Sequence, residues 1–198
     1  MPTPEYKDAL KLPPVARFTL KYRDFFFLKG LYEHLHEWVL ENGYATRSDE
    51  KFNETMMIER IHQQSGKEIW IWWRLEKSPT SFYKYLLNID YHVVTMTDVE
   101  VMHEGKKFKS NKGDCELQIT ATLIVDPEGK WMKHWFLKGM REIFVKRIFR
   151  ADLDMHLKEL YRDAYRMQAS VKEFLKLKSF FKEPEVPQRP AFGLGDVN

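Results

Sequence analysis

The stretch that decides the fold is residues 138–178, which read KGMREIFVKRIFRADLDMHLKELYRDAYRMQASVKEFLKLK. It contains no proline and, after Gly139, no glycine, so no residue in it is a strong helix breaker. We therefore predict that these residues form one long C-terminal helix or two helices joined end to end.

Two apolar stripes lie along this predicted helix. At ~100° per residue, Met140, Phe144 and Ile148 share one sector with Met155, and that sector could cover a sheet. From residue 153 onward, apolar residues recur at alternating spacings of three and four, a heptad pattern, on nearly the opposite side. Either the helix therefore bends near residues 150–154, or its two halves make different contacts. The second stripe consists of Leu153, Leu157, Leu160, Ala164, Met167, Val171 and Phe174.

The second stripe has two interpretations, and both stay open at this point. It could pack on the first helix, against Leu35 and Trp38, inside a monomer. It could instead project and pair with a second copy or a different protein. The leading functional hypothesis is accordingly a non-enzymatic interaction or assembly protein that binds protein partners through this far half of the helix.

Upstream of residue 138, the pattern predicts one helix and a series of strands. Asp24 is expected to cap a helix that ends at Asn42 and Gly43. Beyond it the apolar period changes from about 3.6 to about 2, which is typical of an antiparallel sheet with one solvated face. Residues 126–129 fit either the start of a helix, with Asp126 as N-cap and Pro127 at the first position, or a type I turn, and we favour the turn. The predicted strands are Ala16–Tyr22, Thr55–His62, Lys67–Lys77, Phe82–Val94, Thr97–His103, Cys115–Val125 and Lys130–Leu137.

The two ends of the chain differ in composition from the rest. Residues 1–15 contain four prolines, which predicts an extended or disordered arm. Residues 183–198 contain three more and few apolar groups, which predicts a flexible tail. Residues 16–182 are therefore expected to form a single α+β domain.

The order of strand, helix, several antiparallel strands and long C-terminal helix resembles the helix-grip fold of START-like domains and polyketide cyclases. The resemblance implies a curved sheet of about six to seven strands gripping the long helix, often around an apolar ligand cavity. Two features depart from that pattern: the first helix is one long element, and the last helix runs past the sheet. A START-like binder of an apolar small molecule is the first alternative function. The implied cavity would be lined by Trp73, Tyr85, Leu87, Ile119, Met140 and Phe144.

Basic residues concentrate in two regions, although the net charge of the chain is only +3. Residues 130–150 carry seven Lys or Arg against Glu142, with Trp and Phe interleaved. Such a run could meet RNA or an anionic lipid surface, but a core needs the same rings, which favours a structural role. Residues 105–113 are predicted to form a basic loop. An RNA-associated module is the second alternative, with candidate contacts Lys106, Lys107, Lys109, Lys112, Lys133, Arg141, Lys146, Arg147 and Arg150.

The sequence carries no catalytic, cofactor, metal or phosphate-loop motif. Cys115 falls on the apolar face of its strand, as expected of a small buried hydrophobe. His92 shares a solvated strand face with Asp90, which could orient it for base chemistry. The single cysteine and the lack of an N-terminal apolar segment predict a cytoplasmic protein. The expected partners are a protein or a second copy, then an apolar small molecule or nucleic acid; a membrane is disfavoured.

Overall fold

The structure is a computed structural model that describes residue 6 and residues 8–45, 54–63, 66–103, 106–143 and 147–175. Its strands are β1 (Leu10–Lys11), β2 (Ala16–Phe26), β3 (Glu54–His62), β4 (Gly66–Lys77), β5 (Tyr83–His103) and β6 (Lys106–Val125). Its helices are α1 (Leu28–Glu41), α2 (Lys130–Lys133), α3 (Trp135–Ile143) and α4 (Arg150–Phe174).

The strands form one curled antiparallel sheet in the order β1-β6-β5-β4-β3, and β2 also pairs with β6. Strands β1 and β2 pair with successive parts of β6, since Leu10 lies opposite Val125 and Ala16 opposite Ala121. The predicted α+β class and strand number are confirmed.

Strands β5 and β6 are longer than the sequence predicted. The strands predicted over 82–94 and 97–103 are one strand with a register shift between Val94 and Thr97, where Thr95 has φ 53°. The loop predicted over 105–113 is also wrong, because residues 106–113 belong to β6 and pair with β5. Cross-strand hydrogen bonds outweigh the polar composition there. Gly113 is required beside the shift, since a Cβ atom on it would lie 2.9 Å from the carbonyl oxygen of Val94.

Helix α1 begins later than predicted and uses a different cap. Asp24 lies within β2, opposite Gly113, so it does not cap the helix. The backbone N–H of Leu28 instead donates to Oδ1 of Asn111 in β6, at 3.2 Å. The stop at the other end is as predicted, with Gly43 at φ 74°.

The core lies between the concave face of the sheet and helices α1 and α4. Alternate residues of β4, β5 and β6 point into it and are almost completely buried, which matches the period-2 pattern. Helix α1 contributes Leu31, Leu35 and Val39 from one face. The sheet contributes Ile71, Trp73, Leu75, Tyr85, Leu87, Ile89, Tyr91, Leu117, Ile119, Ala121 and Leu123.

Residues 130–133 and 135–137 are helical, so the strand predicted over 130–137 is wrong. Residues 126–129 do form the expected turn, with the N–H of Gly129 bonded to the carbonyl oxygen of Asp126 at 3.0 Å. The buried carboxylate of Asp126 also accepts the N–H groups of Lys130 and Trp131, both at 2.9 Å. The first N–H groups of a helix have no hydrogen-bond partner within the helix. The Asp126 carboxylate binds two of them and so allows α2 to begin here, although the bulky residues that follow do not by themselves indicate a helix.

The helix predicted over 138–178 is two helices, α3 and α4. The first starts three residues earlier than expected, and the second starts at Arg150, at the near edge of the predicted bend. Residues 144–146 and 176–178 lie outside the described part of the chain. No proline or glycine marks the interruption, which explains why composition did not predict it.

Candidate functional site

The second stripe of α4 faces the core. Two members, Leu157 and Phe174, are half-buried against it, and the remaining five are buried. Helix α4 crosses β5 and β6 and contacts α1, where His34 Nε2 lies 2.6 Å from Ser170 Oγ. The stripe predicted to bind a partner is therefore covered by its own chain, as the monomer interpretation describes. The buried members are Leu153, Leu160, Ala164, Met167 and Val171.

The residues predicted to line a ligand cavity are only partly brought together. Trp73, Leu87 and Ile119 are buried on the concave face of the sheet, and so is the ring of Tyr85. The helix over this face is α4, whereas Met140 is half-buried on α3 and is not part of the core cluster. Residue 144 is not described.

A buried polar cluster, which the sequence analysis missed, joins α4 to the sheet. The Tyr85 hydroxyl lies 2.7 Å from Glu159 Oε2 and 2.7 Å from His156 Nδ1. A hydroxyl has one proton, so when it donates to the carboxylate it accepts from the ring N–H, which fixes the histidine tautomer. The opposite nitrogen, His156 Nε2, faces Asp152 at 3.8 Å.

The same cluster continues along α4 to Asp163, which is buried. Asp163 Oδ2 accepts from the Tyr44 hydroxyl at 2.9 Å and lies 3.5 Å from Lys77 Nζ. The ammonium of Lys77 is also 3.8 Å from Glu159, and it lies over the rings of Tyr44 and Tyr85. We call these residues the α4 polar cluster: Tyr44, Lys77, Tyr83, Tyr85, Asp152, His156, Glu159 and Asp163.

Burial and neighbouring carboxylates raise the pKa of the tyrosines in this cluster. Burial is the main cause for Tyr44, Tyr83 and Tyr85, and it is followed by Asp163, Asp152 and Glu159 respectively. A phenolate in these places would lose hydration and face a negative charge. The phenols are therefore expected to stay protonated well into the alkaline range.

Raised tyrosine pKa values predict that the protein loses stability in alkali. Tyr32 and Tyr91, also shifted upward mainly by burial, add to this effect. Because their pKa values lie above the ordinary 10.0 only in the folded chain, the unfolded chain releases protons first. Stability is therefore complete below pH 10 and falls as the pH rises through the folded pKa values.

Absorbance of tyrosinate against pH, recorded together with circular dichroism, measures this effect. We expect at least five of the nine tyrosines to ionise only as the protein unfolds. In denaturant, as the control, all nine should titrate near pH 10. Ionisation of all nine near pH 10 with the fold intact would contradict the prediction.

The centre of the α4 polar cluster is closed to solvent. Tyr85 and His156 are buried, so a molecule at the surface would meet mainly the half-exposed carboxylates of Asp152 and Glu159 and the partly exposed Lys77. The sequence did carry a signal for the cluster. Four ionisable residues of α4 lie at i, i+4, i+7 and i+11, on one helical face: Asp152, His156, Glu159 and Asp163.

The two residues singled out from the strands lie in different surroundings. His92 Nε2 pairs at 2.9 Å with Glu68 rather than with Asp90, whose carboxylate binds Arg74. Cys115 is buried, and burial raises the pKa of its thiol to about 12, so the reactive thiolate is disfavoured.

Helix α3 presents large apolar side chains to solvent. Trp135 is 86% exposed, Phe136 52% and Ile143 50%. At ~100° per residue these three fall within one sector of about 100°. We call them the α3 patch. Ile148 and Met155, which follow in sequence, are also exposed.

Aromatic contacts hold both ends of the segment that carries α3. The ring of Trp131, in α2, lies 5.2 Å from that of Phe82, at the start of β5. The ring of Phe149, just before α4, lies 6.2 Å from each of the other two. Three rings in mutual contact therefore fix the segment before and after α3, while the α3 patch is exposed to solvent.

The two basic regions lie at opposite ends of β6. Lys109 and Lys112 belong to its first half, together with Lys106 and Lys107. The basic residues of the second region follow the last residue of β6. Lys133 is in α2, Arg141 is in α3, Arg147 lies shortly before α4, and Arg150 is the first residue of α4. Residue 146 is not described. Among the described residues, the two groups of candidate RNA contacts therefore belong to segments at opposite ends of this strand.

Among the residues that the structure describes, no group of three His, Cys, Asp or Glu side chains could hold a metal ion. No helix in the described ranges has the length and apolar character needed to cross a membrane. Compared with known proteins, the chain matches no protein-family model and no curated protein sequence.

Proposed function

We propose that the protein is a non-enzymatic binding protein that docks onto a partner surface through the α3 patch. The observation that carries the proposal is the exposure of Trp135, which presents 86% of its surface to solvent. Large apolar side chains that are exposed together on a protein surface commonly mark an interaction site.

The proposal keeps the function class inferred from the sequence, a non-enzymatic interaction protein. It assigns the binding to the α3 patch instead of the heptad stripe of α4. The heptad stripe of α4 is covered by the sheet and α1, so using it would require opening the core. The α3 patch is reached without any such change. We also propose that the curled sheet and C-terminal helix belong to the helix-grip type, with which they are compatible. Fold alone does not fix the partner.

A photo-crosslinking residue placed in the α3 patch tests the proposal. Benzoylphenylalanine would replace Phe136 in the full chain, and Phe25 in β2 is the matched control because it is a phenylalanine of similar exposure, 47%. We expect adducts from position 136 in native cells that position 25 does not give. Mass spectrometry would identify each as protein or lipid. Identical adducts at both positions, or none at 136, would contradict the proposal.

A further inference from the structure

We infer that the surface bound by the α3 patch is an anionic lipid bilayer. This inference rests on the proposed function and names the chemistry of the partner. It reverses the sequence-based expectation, which disfavoured a membrane because the aromatic residues of this region were expected to enter the core.

The geometry of α3 is that of a helix lying in a membrane interface. Its apolar residues occupy one side of the helix, with Leu137 and Met140 extending the sector of the α3 patch. By the same helical spacing Lys138 falls on the other side, and the chain around α3 is rich in Lys and Arg. An apolar face with Trp and Phe flanked by cations is the pattern of peripheral helices that bury only one side in lipid.

The charges near α3 favour an anionic surface. Lys130 pairs with Glu128 at 2.9 Å, and Arg150 lies 3.8 Å from Asp154. Lys138 and Arg147 form no ion pair with any residue whose side chain the structure describes, whereas Lys133 Nζ donates to the backbone carbonyl oxygen of Glu128 at 3.2 Å. Cations beside an inserted helix are attracted by the negative potential of acidic phospholipids.

The size of the α3 patch fits lipid insertion better than a stable protein interface. Two aromatic side chains and one isoleucine, exposed as measured, offer roughly 400 Å² of apolar surface. A specific protein interface typically needs about 800 Å² on each partner. Because Trp131 and Phe149 fix the flanking residues on Phe82, α3 can insert while the core stays closed.

Vesicle sedimentation with the full chain tests the inference. The vesicles contain either phosphatidylcholine alone or phosphatidylcholine with phosphatidylserine. We expect binding to the anionic vesicles to be at least ~10-fold stronger and to weaken as salt is added. The double variant Trp135→Ser, Phe136→Ser should bind at least ~10-fold more weakly than the unmodified chain.

A matched variant controls for the loss of exposed apolar surface in general. Met57→Ser with Ile61→Ser removes two side chains of β3 that are 52% and 74% exposed and should leave vesicle binding unchanged. Equal binding by the two double variants, or no sedimentation of the unmodified chain, overturns the inference. Protein adducts at position 136 without vesicle binding would leave the proposed function standing and would indicate an acidic protein partner. The absence of any adduct at position 136 would contradict both the proposed function and this inference.

Discussion

Replacement of Met167 by aspartate is expected to destabilise the protein by more than about 4 kcal/mol, a large share of the roughly 5–15 kcal/mol that keeps an ordinary domain folded. Met167 lies on the heptad stripe of α4 and is 0% exposed. The aspartate carboxylate would be buried at an apolar position with no charge partner placed for it, and the contacts of the Met167 thioether with the core would be lost. Denaturant unfolding followed by circular dichroism measures the effect.

The same substitution at Met155 is the matched control. Met155 lies on the same helix but is 55% exposed, so Met155→Asp should change stability by no more than about 0.5 kcal/mol. This pair of variants separates a core role of the stripe from a partner-binding role. A Met167→Asp chain that is folded and as stable as the Met155→Asp chain would show that the stripe does not pack as described.

The second large effect is expected when Lys77 is replaced by methionine, which keeps the aliphatic stem and removes the charge. Asp163 would then remain buried with the Tyr44 hydroxyl and with Arg166, 3.8 Å away and mostly exposed. Removal of one member of a buried ion pair typically costs 3–5 kcal/mol. Because Lys77 is about a quarter exposed, we expect a loss of about 2–3 kcal/mol.

A double-mutant cycle shows whether this cost comes from the stranded carboxylate. Asp163→Asn retains an acceptor for the Tyr44 hydroxyl, so the double variant with Lys77→Met should recover about 2 kcal/mol relative to additivity. The control cycle uses Lys21 and Glu116, whose charged atoms are closer, at 2.9 Å, but more exposed. Its coupling should stay below about 1 kcal/mol. Equal couplings in the two cycles would contradict a buried role for the α4 polar cluster.

The sheet was predictable from the sequence because alternation is a local pattern that burial enforces along every strand. Residues 115–125 of β6 illustrate this, since the apolar positions point into the core as expected. What local pattern did not predict was pairing between distant segments. The lysine-rich residues 106–113 have a loop-like composition, yet hydrogen bonds to β5 and β2 hold them in a strand.

The C-terminal helices illustrate the limit of periodicity as evidence. A heptad stripe shows that α4 has a second apolar face, but it does not show whether the covering surface belongs to this chain or to a partner. The sheet and α1 provide that cover here. The α4 polar cluster was missed for a related reason. The prediction considered the apolar residues of the helix, whereas His156 and Asp163 are ionisable residues that lie between those apolar positions and are buried with them.

The pairing of β2 has a consequence for the order in which the chain can fold during synthesis. Strands β3 to β6 are joined by successive hairpins, so each can pair as soon as the next is made. Strand β2 pairs with β6, about 100 residues later. At ribosomal rates of about 5–20 residues per second, β2 waits on the order of 5–20 s for its partner. During that interval the apolar side chains of β2, which include Phe18, Leu20 and Phe26, are not covered by β6. The nascent chain therefore stays soluble only if aggregation is slower than synthesis or if a chaperone binds β2 until β6 emerges.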